Sequence, residues 1–361
     1  MKTKSVRLHE LNKERQAKSK IIAVMNNKGG CGKTTTALAL GMYLARTGNN
    51  VLFWDNDPQS NLTQRLALAD DIQKSDRLHK LFKNPESPIT AVKIVKYPYL
   101  QRISKTINGV GKIGLMPGSH YAENAADSLA RDFQMGSIYE DEIGFASIHH
   151  FFKNHLDSYR KYYDYIIIDT APALEGNILN KLAIRATDEV IYPIDGLEAG
   201  LGVRQILNWM EVQTKDSETH PNALFTMVKY QIDTKNIADN NGMTKYHRNS
   251  VYRVFKDAFQ DFVCDNGVRE KRKLRASLAG FGGRTDYTGL CEEITVHMHS
   301  DRENIFDFIK QTDAVQEVET GLALIEAKVR KRRPKFFIPK YIPGPVDPVK
   351  LEDAKSSGMA E

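Results

Sequence analysis

Residues 26–36 read NNKGGCGKTTT. Before them lies the short apolar run KIIAVMN (20–26); after them KTTTALALGMYLARTG (33–48) repeats its apolar residues at helical spacing and stops at Gly48. A brief buried run, a glycine-rich turn and an amphipathic stretch spell strand, loop and helix. Small residues between a strand and a helix let backbone N–H groups face an anion, and the helix N-terminus adds the positive end of its dipole. The stretch therefore reads as a phosphate-binding loop, with Lys28, Gly29, Gly30, Cys31, Gly32, Lys33, Thr34 and Thr35 as the candidate cradle. Lys33 has the reach for β and γ phosphates, and the Thr34 hydroxyl is placed to ligate Mg²⁺. The usual pattern has glycine five residues before the Gly-Lys pair; here Asn27 stands there, followed by a second lysine, Lys28.

Working outward, NVLFWDND (50–57) is the next strand, with its carboxylates at the strand's end. Further apolar runs follow: GKIGLMPGS (111–119), YDYIIIDTAP (163–172), DEVIYPID (188–195) and ALFTMVKY (223–230). They are continuously apolar rather than alternating, as strands covered on both faces are. Helical patterns fall between them at 119–134, 143–160, 176–186 and 199–214, and a further helix is expected at 246–261. Residues 70–110 read as helix and loop with a β excursion near AVKIVKYPYLQRI (91–103). The expected fold is α/β: a doubly wound, mostly parallel sheet flanked by helices, with C-terminal helices and an extended tail. The domain is read as 20–330, more polar and basic over 233–300 and closed by one final helix from Arg302. A polar leader (1–19) precedes it, and a tail (331–361) with five prolines follows.

Asp169 ends a run of three isoleucines, at the strand ends where open parallel sheets build ligand sites. A carboxylate there suits magnesium held through water; the alternative is a cap on the next turn. Asp55 and Asp57, in WDNDPQSNL (54–62), end the second strand. Asp57 fits a residue that orients or deprotonates an attacking water, and Asp55 a support for magnesium. Either also fits a solvated turn carboxylate, since Asp-Pro favours turns.

Composition sets limits. The chain has 361 residues, 41% hydrophobic and 27% charged, enough for one large α/β domain or two small ones. No stretch approaches the roughly eighteen apolar residues of a membrane span. The first residues, MKTKSVRLHELNKERQAKSK, lack a secretory signal's apolar core, so a cytoplasmic location is expected. Three cysteines, Cys31, Cys264 and Cys291, have no paired spacing, against a disulfide framework or zinc knuckle. A net charge of +6 permits a polyanionic partner without requiring one.

NNKGGCGKTTTALALG (26–41), VLFWDNDPQSNLT (51–63), GLMPGSHYAENA (114–125) and YDYIIIDTAPALEGNILNKLAIRATDEVIYPI (163–194) together resemble the ParA/Soj partition ATPases of the MinD/ParA superfamily. The likeness covers roughly residues 20–230. It implies an Mg²⁺-dependent ATPase in which Lys28 is the signature lysine that crosses to the partner's phosphates in an ATP-bound homodimer. By the same matching, Lys33 and Thr34 are the phosphate and magnesium residues, Asp57 activates water, and Asp169 is the Walker B aspartate. It further implies nonspecific DNA binding by the ATP dimer, association with the nucleoid, and release when a ParB-like or adaptor partner stimulates hydrolysis. The family's Ile-Pro-Arg and Glu-Ala segment, which frames adenine, has no counterpart in VREKRKLRASLAGFG (268–282).

That segment instead holds five basic residues in seven, Arg269, Lys271, Arg272, Lys273 and Arg275. Such density suits salt-sensitive phosphate contacts to DNA, and equally a solvated charged surface. Lys245 and Arg248 extend the patch. A second basic run, KVRKRRPK (328–335), precedes FFIPKYI (336–342), a mix that suits DNA or an anionic membrane. Pro334 and Pro339 interrupt any helix there, against the amphipathic anchor of MinD-type relatives. Three rivals stand beside DNA segregation: a MinD-like membrane cycle, positioning of a protein cargo, and a metal-cluster reductase, the last lacking paired cysteines.

Overall fold

The computed structural model describes residues 18–66, 77–85, 93–94, 111–135, 147–172, 176–215, 217, 220–228, 248–267 and 286–332. Seven strands form a single sheet: β1 (Lys20–Val24), β2 (Val51–Asp55), β3 (Lys93–Ile94), β4 (Ile113–Met116), β5 (Tyr165–Asp169), β6 (Glu189–Ile194) and β7 (Asn222–Met227). Their order is β3-β4-β2-β5-β1-β6-β7, parallel throughout except for β3, which runs antiparallel to β4 at the edge. Of the β excursion expected in 91–103, the described residues show the two-residue edge strand β3, and the rest lies outside them. The expected doubly wound sheet is the observed one.

The strands are apolar throughout because both faces are roofed. On one face Ile22, Val24, Val51, Phe53 and Ile167 pack with Leu40 and Leu44 of α1 (Lys33–Arg46) and with Leu290 and Ile294. On the other, Ile21, Ala23, Leu52, Trp54, Ile166 and Ile168 meet α4 (Ala122–Gln134), α5 (Ile148–Tyr159), α6 (Ile178–Ala186) and later helices. Short helices α2 (Asn61–Leu66) and α3 (Leu78–Lys83) join the β2 side. Side-chain caps start α5 at Ser147 and α6 at Asn177, each accepting a backbone N–H.

Three expectations need correction. The helix read at 199–214 is two, α7 (Gly196–Leu201) and α8 (Val203–Thr214), parted at Gly202. The single closing helix is also two: α11 (Ile305–Gln311), capped by Asn304, and α12 (Ala314–Arg332), separated by Thr312 and Asp313. The apolar spacing continues across that break, which hid it. Between α9 (Arg248–Phe259) and α11 lies α10 (Asp286–His299), a helix the sequence reading left inside a polar region. It buries Tyr287, Leu290, Cys291, Ile294 and Met298 in the core it shares with α1, an apolar stripe diluted by glutamate and histidine on its other faces.

Candidate nucleotide site

The strand order brings the carboxyl ends of β1, β5 and β2 side by side, because β5 inserts between the other two. At the end of β1, Asn26 is fully buried; its Nδ2 donates to Pro193 O at 2.7 Å and its Oδ1 accepts from Lys28 N at 2.7 Å. This single amide moors the loop's entry to β6. Asn27 adds a second mooring: its Nδ2 donates to Gln205 Oε1 at 3.1 Å, and Tyr192 Oη donates to its Oδ1 at 3.3 Å. Gly30 and Gly32 take φ of +75° and +96°, a conformation that side chains rarely adopt, and Gly32 is the residue from which α1 starts. The turn thereby aims the first N–H groups of a 14-residue helix out of the loop.

Lys33 is nearly buried. Its Nζ curls back to donate to Lys28 O at 3.0 Å and lies 3.9 Å from Cys31 Sγ, so the ammonium sits within the curve of the loop. Lys28 itself is half-buried. Thr34 and Thr35 occupy the first turn of α1, and Arg65 of α2 donates to Thr35 Oγ1 at 3.3 Å, tying the two helices together.

Asp55 and Asp169 are register partners on β2 and β5, and both are fully buried. Burial pushes both carboxyls upward, Asp55 to about 7; the Asp57 charge raises Asp55 further, and Asp55 and Asp57 together raise Asp169. Their hydrogen bonding differs sharply. Asp55 Oδ2 accepts from Thr63 N at 2.7 Å and Thr63 Oγ1 at 2.6 Å, while Oδ1 accepts from Asp57 N at 3.3 Å. Neither oxygen of Asp169 has a partner in good hydrogen-bond geometry among the described residues; the Thr34 hydroxyl, as a loose hydrogen-bonding neighbour, and the Lys33 charge ease its burial. Two buried carboxylates with one left unpaired are costly alone, and a hard divalent cation with oxygen ligands relieves that cost. The residues therefore fit magnesium: Asp169 and Thr34 are the groups that would hold it, and Asp55 would support it from the adjacent strand. Asp57 is also buried, in the turn Asp57–Ser60: its Oδ1 accepts from Gln59 N at 2.9 Å, and Ser60 takes φ +53° before α2 begins.

Several positioning residues were missed in the sequence. Asn56, fully buried between the two aspartates, donates its backbone N–H to Asp169 O at 2.9 Å and its Nδ2 to Leu179 O at 2.7 Å, joining β2, β5 and α6. Thr63 Oγ1, besides donating to Asp55, accepts from Gly118 N at 2.8 Å. A Cβ on Gly118 would lie 2.8 Å from Ser60 Oγ and 2.9 Å from Asp55 Cγ, so only glycine fits. An asparagine between two strand-end aspartates was a readable signal; the Thr63–Gly118 contact, made across the fold, was not.

Residues 19–222 match the AAA domain family. The chain is 30% identical over 241 residues to the sporulation initiation inhibitor protein Soj of Bacillus subtilis, covering 65% of this chain and 83% of that one. It is also 29% identical over 177 residues to the chromosome partitioning protein ParA of Caulobacter vibrioides, covering 48% of this chain and 55% of that one. The chain belongs to the ParA/Soj-type partition ATPases of the MinD/ParA superfamily. Among solved structures, apo McdA of Cyanothece shares the fold at a TM-score of 0.59 and 20% identity, over 78% of this chain and 99% of that one. A cobyrinic acid a,c-diamide synthase from Mycobacterium smegmatis, solved with an ATP analog and magnesium, shares it at a TM-score of 0.56 and 21% identity, over 79% and 98%.

In this ParA/Soj-type chain the loop residues, Asp55, Asp57 and Asp169 converge on one end of the sheet. The candidate DNA residues Arg269, Lys271, Arg272, Lys273 and Arg275, and also Lys245, lie outside the described residues, while Arg248 opens α9. No described helix is long and apolar enough to cross a membrane. The second basic run begins in α12, which continues to Arg332.

Proposed function

We propose that the chain hydrolyses ATP with Mg²⁺ as an ATP-dependent homodimer, binds DNA nonspecifically in that state, and leaves it when a ParB-like or adaptor partner stimulates hydrolysis. The observation that carries this reading is the buried Asp55–Asp169 pair beside a loop that holds two lysines. Magnesium, when bound, supplies neutralising charge to the phosphates. The chain's own groups do the rest: loop N–H groups and Lys33 bind phosphate oxygens, Asp169 and Thr34 hold the ion, and Asp57 orients or accepts a proton from water. Lys28, five residues from Lys33 and half-exposed, serves a second subunit's phosphates in this reading and neutralises charge as hydrolysis proceeds. The basic run 269–275 supplies backbone contacts to DNA that need no base reading.

DNA binding measured with ATP, with ADP and without nucleotide, at two salt concentrations, tests the cycle. The expected result is binding with ATP alone, weakening steeply at higher salt. Equal binding in all three states would contradict it, as would ATP-dependent attachment to anionic vesicles with no DNA binding.

A further inference from the structure

On the α10 side of the sheet, away from the aspartates, a second cluster of chemically capable side chains forms where the chain leaves β7. Val263 bridges to Phe225 of β7, and the next residue, Cys264, donates its backbone N–H to Phe225 O at 3.0 Å. Its thiol is fully buried and faces Glu293 and His297, one turn apart on α10. The three ligand atoms lie within 4.8 Å of one another, and His297 Nε2 is 3.6 Å from Glu293 Oε1. Ligands around tetrahedral zinc sit about 3.3–3.8 Å apart, so a small inward movement of the thiol completes three corners.

The surroundings have the build of a metal site. Glu293 is oriented by three donors: Asp265 N at 2.5 Å, Asn266 N at 2.7 Å and Asn266 Nδ2 at 2.9 Å, the kind of outer contacts that fix a ligating carboxylate. The neighbouring cations are already paired, Lys256 with Asp265 at 2.8 Å and Arg302 with Glu189 at 2.6 Å. The side chains of Glu293 and His297 keep 14% and 19% exposure, enough for an ion to enter and for water to take the fourth corner. Sulfur, nitrogen and oxygen donors together select zinc over magnesium.

We propose that Cys264, Glu293 and His297 bind one zinc ion, clamping the chain after β7 to α10. Between these ligands the sequence carries the basic run 269–275, so the ion holds together the two ends of that segment. The site is separate from the nucleotide site and stands whether or not the ATPase cycle proposed above is correct.

Cobalt(II) titration of the full-length, chelator-treated protein, in millimolar Mg²⁺ to occupy hard-oxygen sites, reports thiolate coordination through its near-ultraviolet charge-transfer band. One equivalent should saturate the band, and zinc should bleach it. C31S and C291S should retain it, C264S should abolish it, and H297A and E293Q should weaken cobalt affinity at least tenfold. Circular dichroism checks that each variant is folded, and E293Q, which keeps the side chain's shape, serves if C264S is not. No band in the wild-type protein, a band that survives C264S, or unchanged affinity in both H297A and E293Q would overturn the proposal.

Discussion

Lys28 and Lys33 are five residues apart yet differ in environment. Lys33 is nearly buried and bonded to Lys28 O, while Lys28 is half-exposed on the loop's outer limb. Removing Lys33 therefore disturbs the cradle itself, whereas the bonds that Lys28 makes to Asn26 and Lys33 use its backbone N–H and carbonyl, which Lys28→Ala keeps. Lys28→Ala is accordingly expected to bind nucleotide much as the wild type does while kcat falls about 10²-fold or more, the scale of losing a donor that acts on developing charge. Fluorescent-nucleotide titration and a phosphate-release assay together check this; normal turnover would remove the role given to Lys28. At this scale the sequence pointed to Lys28, Lys33, Asp55, Asp57 and Asp169, which the fold gathers at one end of the sheet, but not to Arg65, which donates to Thr35. It was opaque for Asn26, Thr63 and Gly118, whose work depends on partners far along the chain.

Among the elements, α5 shows how the sheet's second face is sealed. Trp54 at the end of β2 packs edge-on against Phe152, His155 and Tyr159. Burial holds His155 down at about 4, and its Nε2 has no hydrogen-bond partner among the described residues. His149, on the same helix, is held down at about 4 as well, by burial first and then by Arg185. A histidine with a depressed folded pKa binds fewer protons folded than unfolded, so its contribution is complete above about pH 6.5 and is lost as pH falls towards 4. Each should cost about 1 kcal/mol at pH 5.5 relative to pH 7.5. His155→Phe should remove its own share of acid sensitivity, about 1 kcal/mol between the two pH values, read as the difference from the wild type in urea unfolding; an unchanged pH dependence would show that His155 does not contribute. The element pattern explains where sequence reading succeeded. Strands buried on both faces announce themselves as short apolar runs, and all of those runs became strands. Helix boundaries were harder, because α11 and α12 continue one apolar spacing across Thr312–Asp313, and α10 buries a narrow stripe within a charged stretch.

For the whole molecule, the sheet order gathers the loop, the Asp55–Asp169 pair and the Asp57 turn at one end, on the ends of β1, β5 and β2. The basic run 269–275 lies in sequence between Cys264 and α10, outside the segments that supply the nucleotide site. Charge reversal at Arg269, Lys271 and Arg272 is therefore expected to weaken DNA binding severalfold and flatten its salt dependence while nucleotide affinity stays the same. A gel shift indistinguishable from wild type would place the DNA surface elsewhere. In the proposed cycle, one chain's site is completed by a second chain. Asp57→Ala keeps the loop, Lys28, Asp55 and Asp169 but loses the carboxylate assigned to water, so ATP should persist and hold the dimer. Light scattering of this variant with Mg-ATP is the most direct measurement. A doubled mass with ATP and a single-chain mass with ADP is the result expected; a single-chain mass under both conditions, with ATP demonstrably bound, would contradict it.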